Sequence, residues 1–155
     1  MLSNPNLYFT SIRSWLFWVD FALSTVVRAS INGDNQMNIY QGNYHSAHIA
    51  IDLENQRLYI NTGSNRIESL NTDGSAHSIT VSSSTPMGVS YYSGTLYFAD
   101  WRNKRIRSVQ PGNSASLTTV LTESSAATGT HDVWVVHLSK QPLPGKFCCL
   151  IKVSI

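Results

Sequence analysis

The chain has 155 residues, with 11 Lys and Arg against 9 Asp and Glu, for a net charge of +2. Only 13% of its residues are charged, about half the roughly 25% of an ordinary soluble domain. A hydrophobic share of 42% excludes a disordered chain, and the small net charge excludes a nucleic-acid binder working through a dense basic face.

In chain order, the first apolar stretch runs from Trp15 to Ile31. Asp20 and Arg28 interrupt it and Arg13 precedes it, so no run reaches the ~18 apolar residues of a spanning helix. No ladder of charged, apolar and small residues ends in a cleavage site. The stretch reads as strand material. Within it, Leu16-Phe17-Trp18-Val19-Asp20 opens a series that continues with Leu58-Tyr59-Ile60-Asn61-Thr62 and Leu96-Tyr97-Phe98-Ala99-Asp100. Each block is followed by a second short apolar run, Val26 to Ile31, Ile67 to Leu70 and Ile106 to Val109, and then by Gly33, Gly74 or Gly112 in a polar turn string. Ahead of the second and third blocks lie the runs Ile49 to Asp52 and Gly88 to Tyr91, and a last such run spans Asp132 to His137.

The second unit therefore reads as four strands, Ile49 to Asp52, Arg57 to Asn61, Arg66 to Asn71 and His77 to Ser82, joined by short links. Short links force an antiparallel meander, because parallel pairing needs a long crossover. Helices are excluded by the short apolar runs, rich in Val, Ile, Tyr, Phe and Thr and separated by Gly, Asn and Pro. Four strands recurring at about 40 residues are the pattern of propeller blades. The expected fold is all-β, a partial β-propeller of about three four-stranded antiparallel blades over residues 1–137, with a tail at 138–155.

Cys148 and Cys149 are adjacent, too close for a relaxed disulfide between them. With no second Cys pair or nearby His to complete a set of four, they read as free or intermolecular thiols, and no metal or cofactor is expected.

The motif blocks resemble the low-density lipoprotein receptor class B repeat, the YWTD repeat. LFWVD and LYFAD are close variants and LYINT a weaker one, and TPMGVSYYSGTLYFADWRNKRIRSV follows the family's order of elements. The ending HDVWVVHLSKQPLPGKFCC is similar to the close of such propellers before an EGF-like module, although the residues after Cys148 do not continue like one. The resemblance implies a six-bladed propeller, of which these residues supply about three blades. Trp18, Tyr59, Tyr97, Asp20, Thr62 and Asp100 then occupy the repeat motif. Its Asp implies a structural role, tying neighbouring blades. Thr62, which can accept fewer hydrogen bonds, implies a weaker junction.

A four-stranded meander places the link into each blade on the same side as the link from its second to its third strand. That side carries His45, Met87, Trp101, Arg102, Asn103 and Lys104, the expected ligand face. Trp101 beside Arg102 has hot-spot composition, with packing against a neighbouring blade as the other reading. Met87 is an anchor or a gap filler. Arg102, Lys104, Arg105 and Arg107 form either an acidic-partner site or a solvated edge that blocks strand pairing. Five histidines titrate across the mildly acid range, where the family's ligand release implies a role; no single one is singled out.

The resemblance implies a non-enzymatic extracellular module of a lipoprotein-receptor-related protein, part of a single-pass plasma-membrane receptor, supporting ligand binding, release and endocytosis. Its implied partners are protein ligands of lipoprotein, growth-factor or chaperone type, an adjoining EGF-like module and the remaining blades, with no nucleic acid. A nidogen-like, secreted matrix propeller shares the repeat. A metal-dependent propeller hydrolase is the third class, with Asp52 and Asp132 as its faint candidates.

Overall fold

In a computed structural model of the chain, the residues described are 9–12, 15–20, 22–42, 48–62, 65–82, 85–123, 132–136 and 150–154. They contain strands and one short 3-10 turn. The first sheet is β1 (Phe9–Ile12), β2 (Trp15–Asp20), β3 (Thr25–Ser30) and β4 (Met37–Gln41). The second is β5 (Ile49–Asp52), β6 (Arg57–Asn61), β7 (Arg66–Asn71) and β8 (Ser78–Ser82). The third is β9 (Pro86–Tyr92), β10 (Thr95–Asp100), β11 (Arg105–Gln110) and β12 (Asn113–Thr122). Each is a meander in sequence order with antiparallel pairing throughout. The three motif blocks fall on the second strand of their sheets, β2, β6 and β10. These sheets are blades 1, 2 and 3 below.

The equivalence extends to the irregularities. In every blade the third and fourth strands slip register at an equivalent point, between Val26 and Val27, Ile67 and Glu68, and Ile106 and Arg107, and blade 3 slips again between Ser108 and Gln110. The residue just before the third strand is left-handed in all three, with φ of 53° at Ser24, 59° at Asn65 and 50° at Lys104. A bulge raises local twist and bends the strand, so its recurrence at one site gives the blades a common shape. The first blade has an inner strand, β1, where the apolar pattern showed none. The last apolar run is β13 (Asp132–Val136), and the tail, where no strand was expected, contributes β14 (Leu150–Ser154) as its antiparallel partner.

The chain divides into two compact units, residues 1–84 and 85–155. In the first, Phe17, Val19 and Val26 of blade 1 join Ile49, Leu58, Ile60 and Leu70 of blade 2 in one core. Leu58 to Asn61 are all buried, and because neighbours on a strand point to opposite sides, both faces of β6 are covered. In the second, Leu96, Phe98, Ile106 and Val109 of blade 3 are buried, β13 lies against β9 and β10 with Val133 buried, and the Val135 amide donates to Ser90 Oγ at 3.3 Å. The outer strands β8 and β12 are mostly exposed and polar.

Turn chemistry sets how closely blades 1 and 2 approach. Gly33 and Gly74 occupy equivalent turns with the same φ of 92°, and each amide closes its turn, onto the carbonyls of Ser30 and Asn71. Around Gly33 there is nothing within 4 Å of where a Cβ would sit, but at Gly74 a Cβ would lie 2.1 Å from the Ile39 carbonyl oxygen of blade 1. Gly33→Ala therefore meets only backbone strain, about 1 kcal/mol. Gly74→Ala adds a backbone collision and is expected to cost about 3 kcal/mol or more. Urea denaturation of the two variants measures the difference, and equal losses would show that the turn does not set the spacing.

Candidate functional site

The expected ligand face is built at the strand ends that follow the motif blocks. In blade 3 the chain leaves β10 at Asp100 and makes the 3-10 turn Trp101–Asn103 before Lys104 reverses it in the left-handed conformation. The Trp101 amide donates to the Thr85 carbonyl at 3.1 Å and the Lys104 amide to the Trp101 carbonyl at 3.2 Å. The link into blade 3 and its second-to-third strand turn thus meet at one end of the sheet. The same holds in blade 2, where the Asn61 amide donates to the His48 carbonyl at 3.0 Å.

The Asp100 carboxylate organises this turn. It is 1% exposed. Its Oδ1 accepts the Thr85 amide at 3.3 Å and Asn103 Nδ2 at 3.0 Å, its Oδ2 accepts the same Asn103 group at 2.9 Å, and Arg107 Nη1 lies 3.7 Å from Oδ2. The motif Asp was expected to tie neighbouring blades; among the described residues these bonds join the two ends of its own blade. Asp20 does the same on a smaller scale, accepting the Leu23 amide at 3.0 Å. Thr62 is buried and acts as a donor, its hydroxyl reaching the Arg66 carbonyl at 3.5 Å. Of the motif aromatics, Tyr59 is buried, and Trp18 and Tyr97 are half-buried.

What remains outward at this turn is Trp101, 38% exposed, with the exposed Arg102 and half-buried Lys104. The Asn103 side chain belongs to the Asp100 network. Met87 is half-buried within β9 between buried Pro86 and Gly88. The Arg cluster divides: Arg105 is exposed, while Arg107 faces Asp100. His45, with residues 43–47, lies outside the described residues, as do Gly63, Ser64, His131, His137, Cys148 and Cys149.

His77 forms a site the sequence reading did not assemble. Its ring stacks on Tyr40 of blade 1 with centroids 4.6 Å apart, and its Nε2 lies 3.0 Å from Glu68 Oε2, whose other oxygen is 2.6 Å from Arg66 Nε. The Tyr40 phenol is raised above its ordinary value, by burial first and then by the Glu68 charge, with Arg66 opposing. The two residues come from the outer strand of one blade and the outer link of the next, a pairing that no spacing in the sequence announces. Asp52, the faint metal candidate, has its carboxylate in the β5–β6 turn, accepting the Glu54 and Asn55 amides and Asn55 Nδ2. The Asp132 side chain lies outside the described ones.

The repeated four-stranded meander with its common bulge defines a partial β-propeller, and known structures agree. The chain is similar to a chain of a nidogen/laminin complex, with a TM-score of 0.69 and 19% identity over 82% of this chain and 50% of that one. It is similar to a protein of unknown function from Bacteroides thetaiotaomicron VPI-5482 (TM-score 0.64, 12% identity, 82% of this chain and 40% of that one). It is also similar to a catalytically inactive variant of virginiamycin B lyase from Staphylococcus aureus with quinupristin (TM-score 0.63, 16% identity, 85% of this chain and 47% of that one). The chain spans half the length of these structures or less. No protein-family model matches it. Among the described residues no helix is long and apolar enough to cross a membrane.

Two outcomes test this geometry. Asp100→Ala removes a buried carboxylate that satisfies one amide and one side-chain amide, and should cost about 2–3 kcal/mol, whereas Thr62→Val should cost under about 1 kcal/mol. Chemical denaturation compares them, and a larger loss at Thr62 would reverse the assignment. The Tyr59 phenol is pushed up to about 12, chiefly by burial and then by the charge of Asp52, with Arg57 opposing. A raised phenol supplies stability that is complete below the unfolded value near 10 and is lost as pH rises through the folded value. Stability should fall by on the order of 2 kcal/mol across that window, and Tyr59→Phe should flatten the fall. Denaturation curves at several alkaline pH values read both.

Proposed function

We propose that the chain is a protein-binding part of an extracellular propeller protein and acts without catalysis. The observation that carries this reading is the β10–β11 turn. Trp101 and Arg102 project from a backbone held by the buried Asp100 carboxylate and by two main-chain hydrogen bonds. Trp and Arg dominate interface hot spots, and a turn already ordered before binding loses little freedom on association. The hydrogen-bonded state of Asp52 supports a structural role for that carboxylate over a metal-ligating one.

Two settings share this reading. The likeness to a chain of a nidogen/laminin complex supports a matrix protein of nidogen type. The motifs LFWVD and LYFAD support a lipoprotein-receptor-related protein, in which the chain would belong to the extracellular part of a single-pass receptor that binds, releases and internalises protein ligands. The structural likeness spans most of the chain and gives the matrix setting the greater weight.

Purified laminin and low-density lipoprotein particles, each passed over the immobilised full chain, separate the settings. Saturable binding of one of them is expected, and Trp101→Ala should weaken it by at least roughly tenfold with no change in the thermal unfolding midpoint. Binding of neither, or binding that Trp101→Ala leaves unchanged, overturns the reading.

A further inference from the structure

The charges of the chain are unevenly placed. Residues 1–84 carry 4 Lys and Arg against 6 Asp and Glu, and residues 85–155 carry 7 against 3. Four of those 7 cations, Arg102, Lys104, Arg105 and Arg107, lie at the β10–β11 turn and the start of β11. Among the described side chains of this unit, no carboxylate reaches the surface beside them. Asp100 is buried and faces Arg107. Glu123, whose amide donates to the Lys104 carbonyl at 2.9 Å, has both carboxylate oxygens buried. Arg102 and Arg105 are exposed, and neither has an ion-pair partner among the described residues; Lys104 between them is half-buried.

The turn itself does not need these cations. Its left-handed residue and the one that follows are Ser24 and Thr25 in blade 1, and Asn65 and Arg66 in blade 2. Arg66 is taken by Glu68, at 2.6 Å from its Oε1. The same backbone reversal is therefore built twice without an unopposed charge, and the positive patch of blade 3 is no requirement of the fold.

We propose that Arg102, Lys104 and Arg105 bind a sulfated glycosaminoglycan chain. Exposed charges contribute little to a protein–protein contact, because water solvates them well and salt screens them. A polyanion dense enough to condense counterions behaves differently. Each cation that meets it releases counterions, and that gain needs no pocket, only cations at the surface. Guanidinium groups also pair with an oxyanion through two N–H donors at once. Three cations make a local contact, short of the dense basic face that a nucleic-acid duplex calls for. The proposal rests on the extracellular setting put forward above, where sulfated glycans are the polyanions at hand. Arg102 is shared with the protein-binding turn, and Trp101 is not part of the glycan site.

The test is binding of the full chain to immobilised heparin at about 0.15 M salt, with unsulfated hyaluronan and poly-glutamate as comparison polymers. Saturable binding to heparin is expected, at least roughly tenfold tighter than to either comparison polymer. The double variant Arg102→Ser, Arg105→Ser should lose at least about tenfold with an unchanged thermal unfolding midpoint, and the slope of log affinity on log salt should become shallower by between about 1 and 2. Arg102→Lys, Arg105→Lys should keep most of the affinity. Trp101→Ala should change heparin binding by less than about twofold while it weakens the protein ligand, so the two readings fail separately. No saturable binding at this salt, equal or tighter binding of hyaluronan, or undiminished binding in the folded Ser variant overturns the proposal. So does a larger loss in Trp101→Ala than in the Ser variant. Equal or tighter binding of poly-glutamate overturns it in favour of an acidic protein segment.

Discussion

The spacing of blades 1 and 2 depends on one contact, the seat of the Gly74 turn against the Ile39 carbonyl. A backbone approach this close is open only to a residue without a Cβ, and the positive φ of the turn favours the same residue. With the turn in place, Arg28 reaches the Thr72 carbonyl next to it, and Tyr40, adjacent to Ile39, stacks on His77 just beyond the turn. Packing and polar ties between blades 1 and 2 are therefore consequences of a single steric permission.

Among the described residues, the hydrogen bonds of the motif acids lie within their own blades. The bonds of Asp100 join the start of β9, the 3-10 turn and β11, all of its own blade. A buried carboxylate needs several donors to offset its desolvation, and the nearest amides are those at the strand ends it adjoins. Among the described residues these bonds fix the base of the turn, and Trp101 and Arg102 point outward from it.

Much of the architecture was legible. The blocks LFWVD, LYINT and LYFAD each proved to be a second strand, because alternation of Leu and aromatic residues with short polar links leaves few arrangements open to a buried strand. β1 was not legible, since FTSI is too short and polar to stand out, and it is recognised as a strand only by its pairing with β2. β14 escaped for a related reason: its ladder to β13 joins residues far apart in the chain. Of the candidate residues, Trp101 and Arg102 were visible from composition at a predicted turn. Arg28 left one trace, a charge in an otherwise apolar strand, and nothing local indicated its partners.

By itself the sequence determined the strands from β2 to β13, their order and their antiparallel return within each blade, because side-chain period and link length are local properties of the chain. Only the tertiary structure decided that Gly74 is constrained by a neighbour and Gly33 is not, that Asp100 joins the ends of its own blade, and that Arg28 of blade 1 reaches Thr72 of blade 2. Those outcomes depend on which surfaces approach within a few ångströms, and two turns with the same glycine conformation carry no local record of that distance.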